Sequence, residues 1–307
     1  MRDIATLTLN PTIDVSFEVD RVYHTHKMRG RNERHDPGGG GINVARVFVR
    51  LGGNARCFYM SGGATGVALD GLLDLHQLVR RKIAIGGENR VATAVLERST
   101  GREYRFVADG PAIAEDEWQE CLEILSEARC GYFVISGSLS PGVPEDFYAR
   151  VVRAVKRGDT RVVLDSSGAG LAGGLAGGGI FLVKPSLGEL RGLTGKELAT
   201  DAEIAAAAGA IVARGQAEHV AVTMGHQGAM LVNAAGVTRL PALEVEAASA
   251  VGAGDSFLAA MVFSLAAGDT IEDAFRFGVA GGTAAILTPG TDLARAEDIR
   301  RLASAPE

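Results

Sequence analysis

Hydrophobic residues follow two alternating patterns from about residue 114 onward. Stretches with helical periodicity are followed by short runs rich in Val, Ile and Phe. Continuous apolar strands separated by helices are typical of a parallel sheet covered on both faces, so the pattern predicts an α/β fold. The predicted helices span 114–128, 145–157 and 201–215, and the predicted strands are Tyr132–Ser136, Arg161–Asp165, Ile180–Val183 and His219–Thr223.

Two segments nearer the N-terminus alternate apolar and polar residues with a period of two. They are residues 15–20 and 91–106. One-sided strands of this kind suit a small sheet apart from the main core, although edge strands of the main sheet are an alternative. We therefore expect one domain, 1–307, with a lid formed by about 11–36 and 86–109. Its apolar face is expected to cover a cleft or to pair with a second copy in a homodimer.

Composition and charge exclude several classes of protein. The chain has 307 residues, of which 47% are hydrophobic and 22% charged, as in globular proteins. A net charge of -6 provides no general attraction for nucleic acid or for an anionic membrane. The three cysteines lack metal-site spacing, and the longest apolar stretches, 204–213 and 257–267, are too short to span a bilayer. We expect a cytoplasmic protein that binds neither nucleic acid nor membrane.

A run of four glycines opens the first segment that carries chemistry. Pro37 and the glycines 38–41 are followed by Ile42 and Asn43, and an apolar helical pattern continues to Leu51. A helix that begins without side chains presents unpaired N–H donors, which suit an anion or a hydroxyl-rich ligand. A flexible helix start is the alternative, but Asn43 offers both a donor and an acceptor to a sugar.

A second segment with glycines begins another apolar helix. Gly252, Ala253 and Gly254 precede Asp255 there. Free N–H groups at this helix start form an anion hole suited to a phosphoryl group in transfer. Asp255 has two explanations: a favourable interaction with the helix dipole, or a general base that takes a proton from an attacking hydroxyl. The Walker motif is missing, so a P-loop function loses support.

These segments resemble the ribokinase-like, or PfkB-type, sugar kinases over nearly the whole chain. The two glycine segments match the two family signatures in order and in separation. Within the family the sequence is most similar to the minor bacterial 6-phosphofructokinase branch. The resemblance implies a mostly parallel sheet flanked by helices, and ATP- and Mg²⁺-dependent phosphorylation of the 1-hydroxyl of fructose 6-phosphate to fructose 1,6-bisphosphate. The matching segments are 7–14, Lys27, 38–41, 62–66, 104–107, 136–142, 165–168 and 277–280.

The resemblance also implies roles for individual residues around the sugar phosphate. Asp255 would be the base, with the amides of 252–255, among them Gly252, Ala253 and Gly254, as the anion hole, and Asp14 would hold sugar hydroxyls. Arg90 would pair with the phosphate already on the sugar, and Lys27 would reach the transferring phosphoryl group when the lid closes. For Asp14 and Arg90 the alternatives are a turn acid and a solvated charge. The other implied sugar-binding residues are Thr12, Ile13, Gly39, Gly40, Gly41, Ile42, Asn43 and Ser138.

The same resemblance implies a nucleotide channel and two cation sites. Glu189 would act near the magnesium, where Ser186 replaces an asparagine of the family motif. A monovalent cation such as K⁺ would bind the backbone carbonyls of Ser249, Val251 and Gly290. The implied ATP-binding residues are Lys27, Lys184, Ser186, Thr223, Met224, Gly225, His226, Gln227, Gly228, Gly252, Gly254, Gly281 and Ala285.

Three other functions remain open at the level of sequence. Related sugar-phosphate kinases often carry a lysine where this chain has Gly40. That difference points away from a 1-phosphofructokinase or a tagatose-6-phosphate kinase. A non-catalytic sensor of sugar phosphates or nucleotides is the third alternative, but binding alone needs no base at Asp255.

Overall fold

The computed structural model describes residues 1–246, 249, 251–288 and 290–304. Its strands belong to two separate sheets, one large and one small. Numbered along the chain, the strands are β1 Ile4–Thr8, β2 Thr12–Val19, β3 Arg31–Gly38, β4 Ala55–Ser61, β5 Val79–Ala84, β6 Arg90–Glu97, β7 Arg102–Val107, β8 Tyr132–Ser136, β9 Arg161–Asp165, β10 Ile180–Val183, β11 Ala217–Thr223, β12 Ala229–Asn233 and β13 Gly236–Leu240.

The larger sheet has nine strands in the order β13-β12-β11-β10-β9-β8-β1-β4-β5. All its pairs are parallel except β11 with β12 and β12 with β13. From β1, the chain adds β4 and β5 on one side of the sheet and then β8 to β13 on the other side, so the strand order reverses next to β1. Ligands of open α/β sheets bind outside the carboxyl ends of the strands at such a switch point, which places the expected site there.

Helices cover both faces of the large sheet. Ile4 of β1 packs in one hydrophobic cluster with Phe257, whereas Leu7 of the same strand packs in the other with Phe147. Every residue of β1 is buried, as a strand covered on both sides requires. The helices are α1 Gly40–Arg50, α2 Gly63–Leu73, α3 Glu115–Ser126, α4 Phe147–Val155, α5 Gly168–Ala176, α6 Leu187–Thr194, α7 Asp201–Ala213, α8 Ala253–Ala267, α9 Ile271–Ile286 and α10 Ala296–Ala303.

The small sheet contains four strands in the order β3-β2-β6-β7. Strands β2 and β6 are parallel, and the other two pairs are antiparallel. The β2–β3 hairpin is inserted between β1 and α1, and its register pairs Thr12 with Gly38. The hairpin therefore delivers the glycine-rich start of α1 directly beside the end of β1.

The sequence patterns predicted these elements closely. Strands β8, β9 and β10 have the predicted bounds, and β11 begins at Ala217 instead of His219. Helices α3, α4 and α7 lie inside the predicted ranges 114–128, 145–157 and 201–215. The two period-two segments form a sheet of their own, so the alternative of edge strands in the main sheet is wrong. In the described part of the chain, no helix combines the length and apolar character needed to cross a bilayer.

Candidate active site

A cavity of about 270 Å³ lies where the carboxyl ends of β8 and β9 meet the start of α1, the start of α8 and the small sheet. Residues up to 243 positions apart in sequence line it together, as expected at the switch point of such a sheet. The predicted site residues in its lining are Thr12, Asp14, Gly39, Gly40, Asn43, Arg90, Ser138, Glu189, Val251, Gly252 and Asp255.

Helix α1 begins at the cavity without a capping side chain. Its N-cap is Gly39, and the amide of Ile42 donates to Thr8 Oγ1 at 2.9 Å, which ties the first turn to the end of β1. A Cβ atom at Gly40 would collide with the hydroxyl of Ser136. Only glycine allows α1 to approach β8 this closely, so a lysine at this position does not fit the present backbone.

Helix α8 also begins at the cavity with an uncapped turn. Its N-cap, Gly252, has a left-handed φ of 71°, and no side chain caps the helix. The first intrahelical hydrogen bond runs from the amide of Ser256 to the Gly252 carbonyl at 2.8 Å. The amides of residues 253–255 therefore precede the first intrahelical donor and are oriented as donors for an anion.

Asp255 lies in this first turn and contacts the other uncapped helix. Asn43 Nδ2 donates to Asp255 Oδ2 at 2.9 Å, although the two residues are 212 positions apart in sequence. Burial, followed by the negative charge of Asp165, raises the pKa of Asp255 to about 7. The hydrogen bond from Asn43 and the charge of Lys184 oppose that rise. A carboxylate with a pKa near neutrality, next to uncapped amides, is suited to accept a proton.

A buried ion pair lies beside this turn. Lys184 Nζ is 3.1 Å from Asp165 Oδ1, and both side chains are largely shielded from solvent. Burial, the largest single influence, disfavours the charge on Lys184, but the carboxylates of Asp165, Glu189 and Asp255 together outweigh it and raise the pKa of the lysine. A Cβ at Gly254 would lie 3.4 Å from Lys184 Nζ, so the ammonium is adjacent to the start of α8. The ion pair therefore holds a positive charge close to the uncapped amides.

The small sheet contributes one acid and two arginines to the cavity. Burial raises the pKa of Asp14 to about 6, against the positive charges of Arg105 and Arg46. Arg90 is fixed by hydrogen bonds to the carbonyl oxygens of Asn10 and Ala108, each at 3.0 Å. Arg105, on the neighbouring strand β7, is exposed, and its guanidinium group forms no ion pair or hydrogen bond with any described side chain. This end of the cavity therefore carries two guanidinium groups.

Several predicted sugar-binding residues lie outside the cavity. Ile13 and Ile42 are buried in the hydrophobic core, where their side chains cannot contact a sugar. Gly41 is buried against β1, next to the Leu7 carbonyl. Lys27 is exposed in the loop between β2 and β3 and does not line the cavity. The role predicted for Lys27 depends on closure of the small sheet and stays a prediction.

Eight of the residues predicted for the nucleotide form two groups, one at the end of β11 and one in α9. Thr223, Met224 and Gly228 lie at the end of β11 and in the turn that follows, whose exposed members are Gly225, His226 and Gln227. His226 faces solvent, as expected for a loop residue. Gly281 and Ala285 are instead buried, with Gly281 packed against Ala260 of α8. Packing between helices explains why these two residues are buried, and their positions give no support to a nucleotide contact.

Ser186 and Glu189 form a capping box at the start of α6. The Glu189 amide donates to Ser186 Oγ at 3.2 Å, and the Ser186 amide donates to Glu189 Oε2 at 2.7 Å. The serine that replaces the family asparagine thus caps a helix. Glu189 also lines the cavity, and its role near a magnesium ion stays a prediction.

The three residues predicted for a monovalent cation lie in two neighbouring loops. The Val251 amide donates to Ser249 Oγ at 3.2 Å, and the Ser249 amide donates to the Ile286 carbonyl at 3.4 Å. Gly290 follows α9 near Ser16 of the small sheet. Across the described residues, no group of three or more His, Cys, Asp and Glu side chains is arranged to hold a metal ion. The cation site stays a prediction.

Sequence reasoning missed several polar residues of the cavity. Asp165 and Ser136 end the predicted strands β9 and β8, and a polar residue at the carboxyl end of a buried strand was the signal that could have revealed them. Ser166 and Ser167 follow Asp165 into the lining. Arg105 lies within the 104–107 segment that carried the resemblance, but its place beside Arg90 in the cavity lining depends on the small sheet.

Comparison with known proteins gives a family for this architecture. The sequence pattern of pfkB family carbohydrate kinases matches residues 6–298. The chain belongs to the pfkB family of carbohydrate kinases. Its large, mostly parallel sheet with a separate small sheet is the ribokinase-like fold, as predicted.

The chain is similar to bacterial phosphofructokinases over nearly its full length. ATP-dependent 6-phosphofructokinase isozyme 2 of Mycobacterium tuberculosis (strain ATCC 25618 / H37Rv) is 42% identical over 97% of this chain and 88% of that protein. Structures of phosphofructokinase-2 from Escherichia coli with potassium and with fructose-6-phosphate superpose with TM-scores of 0.94 and 0.92, at 38% and 37% identity over 99% of both chains. The 1-phosphofructokinase of Bacillus subtilis (strain 168) is more distant, at 31% identity over 92% of this chain and 91% of that protein. These relatives confirm the predicted family and branch, and their names agree with the predicted activity.

Proposed function

We propose that this pfkB family kinase transfers the γ-phosphoryl group of ATP to the 1-hydroxyl of fructose 6-phosphate. The observation that carries this proposal is the polarity of the cavity. Two arginines lie at the small-sheet end, and a partly buried carboxylate, Asp255, lies with uncapped amides at the helix α8 end. A substrate with a phosphate at one end and a reacting hydroxyl at the other matches that arrangement. The names of the M. tuberculosis and E. coli relatives support the same substrate.

At the small-sheet end, Arg90 and Arg105 would hold the phosphate already on the sugar. A guanidinium group binds phosphate through paired N–H donors, and Arg90 is already oriented by two backbone carbonyls. Asp14, Asn43 and Ser138 line the cavity between the arginines and Asp255 and would accept or donate hydrogen bonds to the sugar hydroxyls.

At the other end, Asp255 would take the proton of the 1-hydroxyl as its oxygen forms a bond with the γ-phosphorus. The bond from that phosphorus to the bridging oxygen of ADP breaks, and ADP leaves with the electron pair. The amides of 253–255 would donate to the transferring phosphoryl oxygens, with the ammonium of Lys184 close behind them. Lys27 would add a positive charge when the small sheet closes as a lid.

The residues present fit a nucleotide with its magnesium. Glu189 places a carboxylate in the cavity lining, and Mg²⁺ is usually held by one or two carboxylates together with substrate phosphates and water. Bound there, Mg²⁺ would neutralise charge on the phosphates. Because Glu189 already accepts a hydrogen bond from Ser186, its contact with the metal would be indirect, through water. A potassium ion at Ser249, Val251 and Gly290 is part of the same proposal, supported by the potassium complex of the E. coli enzyme.

We also propose that two copies pair through the small sheet. Val91 and Phe106 are large apolar side chains exposed on one face of this sheet, because Phe106 is the cross-strand partner of Thr93, two residues from Val91. Phe106 is 63% exposed. Exposed apolar side chains that share a sheet face favour an interaction site. A second copy would bury it beside the cavity, where it could hold the lid over the substrate.

A coupled assay of ADP release across fructose 6-phosphate, fructose 1-phosphate and tagatose 6-phosphate tests the proposed activity. Fructose 6-phosphate should give the highest kcat/KM, and phosphorus NMR of the product should show phosphate on both terminal carbons. A higher kcat/KM for either other sugar phosphate would assign a different branch. Tight binding of fructose 6-phosphate without ADP release would identify a sensor instead of a kinase.

A further inference from the structure

A buried arginine, Arg46, lies behind the candidate base and is absent from the cavity lining. It extends from α1, is 3% exposed, and contacts polar groups of β3 and of α1 itself. Its Nη1 donates to the carbonyl of Pro37 at 2.8 Å and to Asn43 Oδ1 at 3.4 Å, and its Nη2 donates to Asp36 Oδ1 at 3.3 Å. None of these contacts involves a substrate, so the proposed reaction leaves the buried charge unexplained.

The contact between Arg46 and Asn43 determines which way the Asn43 carboxamide faces. A guanidinium group has donors only, so the amide atom that it contacts must be the oxygen. The Asn43 nitrogen then faces Asp255, and it donates to Asp255 Oδ2 at 2.9 Å. A flipped carboxamide would place two donors together and would place its oxygen against a carboxylate. Arg46 and Asp255 therefore select the same orientation of Asn43.

The guanidinium group is itself held by the small sheet and by the loop before α10. Asp36, on β3, accepts from Arg46 through one oxygen and from Thr291 Oγ1 at 2.9 Å through the other. Asp36 is the cross-strand partner of Asp14, the acid at the sugar end of the cavity. Hydrogen bonds thus connect the small sheet to the base through Asp36, Arg46 and Asn43.

We propose that Arg46 is a positioning residue for the base: its guanidinium group holds the oxygen of the Asn43 carboxamide, so that the nitrogen stays directed at Asp255. The inference rests on the proposed function, in which Asp255 takes the proton. Its consequence is that the ionisation of Asp255 depends on a residue that touches neither substrate nor Asp255.

The expected readout is the ionisation of Asp255. A hydrogen bond donated to a carboxylate favours its charged form, and the bond from Asn43 lowers the pKa of Asp255 against the burial that raises it to about 7. A carboxamide that is free to rotate gives up part of that bond. The other charged groups that act on Asp255 are Asp165, Lys184 and Asp14, and those that act on Arg46 are Asp36, Arg50 and Asp292.

The experiment is a carbon-13 NMR titration of Asp255 in protein labelled at the aspartate carboxyl carbon, with the signal assigned by Asp255→Asn. In Arg46→Met the pKa of Asp255 should rise by about one unit, which is a tenfold change in its ionisation constant. Because less Asp255 is then ionised at pH 6.5, kcat should fall about five- to tenfold at that pH and stay within about twofold of wild type at pH 8.5. An unchanged pKa in the folded variant would overturn the inference.

Arg50→Met is the matched control for the loss of an arginine from α1. Arg50 lies one turn further along, pairs with Asp292 at 3.1 Å and has no contact with Asn43. Its loss should reduce stability by a comparable amount and leave the pKa of Asp255 unchanged. An equal rise in the pKa with Arg50→Met would mean that Arg46 acts only as a structural residue.

A second comparison separates positioning from the direct effect of a positive charge. In an Asn43→Ala background, Arg46→Met should cause no further rise in the pKa of Asp255, because the carboxamide is gone. A rise that persists there would assign the effect to charge and overturn the inference. If Arg46→Met does not fold, the double variant Asp36→Asn/Arg46→Met removes both buried charges. The pKa of Asp255 in that variant is then compared with wild type and with the Asn43→Ala background in the same way.

The two proposals can fail separately. An Asp255→Asn variant that remains active would reject the base, whereas an unshifted pKa would reject only the role of Arg46. The titration needs no substrate, so it gives a result whichever sugar phosphate the enzyme uses.

Discussion

The two walls of the cavity differ in burial and in chemistry. The wall formed by the large sheet and α8 is closely packed. Of its charged groups, Lys184 is buried, and Asp165 and Asp255 are partly buried. The wall formed by the small sheet is open. Most residues of β3 and β7 are exposed, and the Arg105 side chain forms no ion pair or hydrogen bond within the described part of the chain.

This difference indicates that the two walls of the cavity have different roles in catalysis and in substrate binding. A buried wall can fix the pKa of a base and hold a phosphoryl site in place, since low-dielectric surroundings strengthen its charge interactions. An open wall can bind and release a substrate. Changes to the buried wall should therefore alter kcat, and changes to the small sheet should alter the KM for the sugar or the assembly of two copies.

Asp255→Asn should have the largest effect, because it removes the proposed base from the buried wall. Loss of a general base lowers kcat by about 10²- to 10⁴-fold, while a helix-dipole role alone would cost only about 0.3–1 kcal/mol of stability. The Kd for ATP should be unchanged or slightly lower, because a negative charge beside the phosphates is gone. A variant that keeps more than about a tenth of wild-type kcat would contradict the mechanism.

The stability of the same variant provides an internal control. Because the pKa of Asp255 is raised from 3.8 to about 7 on folding, the native state favours its neutral form. The contribution of Asp255 to stability is therefore greatest at low pH and is lost as the pH rises through about 7. At pH 8 the asparagine variant should melt at least about 2 °C above wild type, a difference that should vanish near pH 4.

The pH dependence of wild-type turnover should be the next largest effect. A base with a pKa of about 7 must be ionised to act, so kcat should fall about tenfold for each pH unit below neutrality. Measured at saturating substrates, kcat should differ about 100-fold between pH 5 and pH 8. The residual kcat of Asp255→Asn should not show this fall below pH 7. A wild-type kcat that is flat across the range would remove Asp255 as the base.

Arg90→Ala tests the open wall and should have an intermediate effect. Hydrogen bonds to a charged group contribute about 1.5–3 kcal/mol, so the KM for fructose 6-phosphate should rise about 10- to 100-fold. The KM for ATP should stay nearly unchanged. Arg102→Ala is the matched control, because Arg102 lies on β7 of the same sheet, exposed and outside the cavity lining. An unchanged KM for the sugar would remove Arg90 from the site.

Phe106→Asp should have the smallest effect on chemistry and should act on assembly. Burial of a large apolar side chain contributes about 1.5–3 kcal/mol, so its loss should weaken a small-sheet dimer at least about tenfold. Sedimentation velocity at micromolar concentration would measure this. Val237→Asp is the control, because Val237 is 52% exposed on β13, at the far edge of the large sheet. A wild-type monomer at that concentration would contradict pairing through the small sheet.

Local patterns in the sequence determined the elements of the fold. A buried parallel strand needs a continuous apolar run, so β8, β9 and β10 could be predicted to the residue. One-sided strands leave a period-two pattern, which predicted the separate small sheet. The glycine segments predicted two uncapped helix starts, because bare helix ends depend on the residues at the turn itself.

Only the tertiary structure decided which polar groups meet. Asn43 and Asp255 face each other because α1 and α8 start at the same edge of the sheet, and no spacing in the chain encodes that contact. The same holds for Lys184 with Asp165, for Arg105 in the cavity and for Arg46 behind Asn43. The physical reason is that periodicity and capping act within a few residues, whereas the pKa of a base and the orientation of an amide depend on burial and on charges that folding brings together from distant segments.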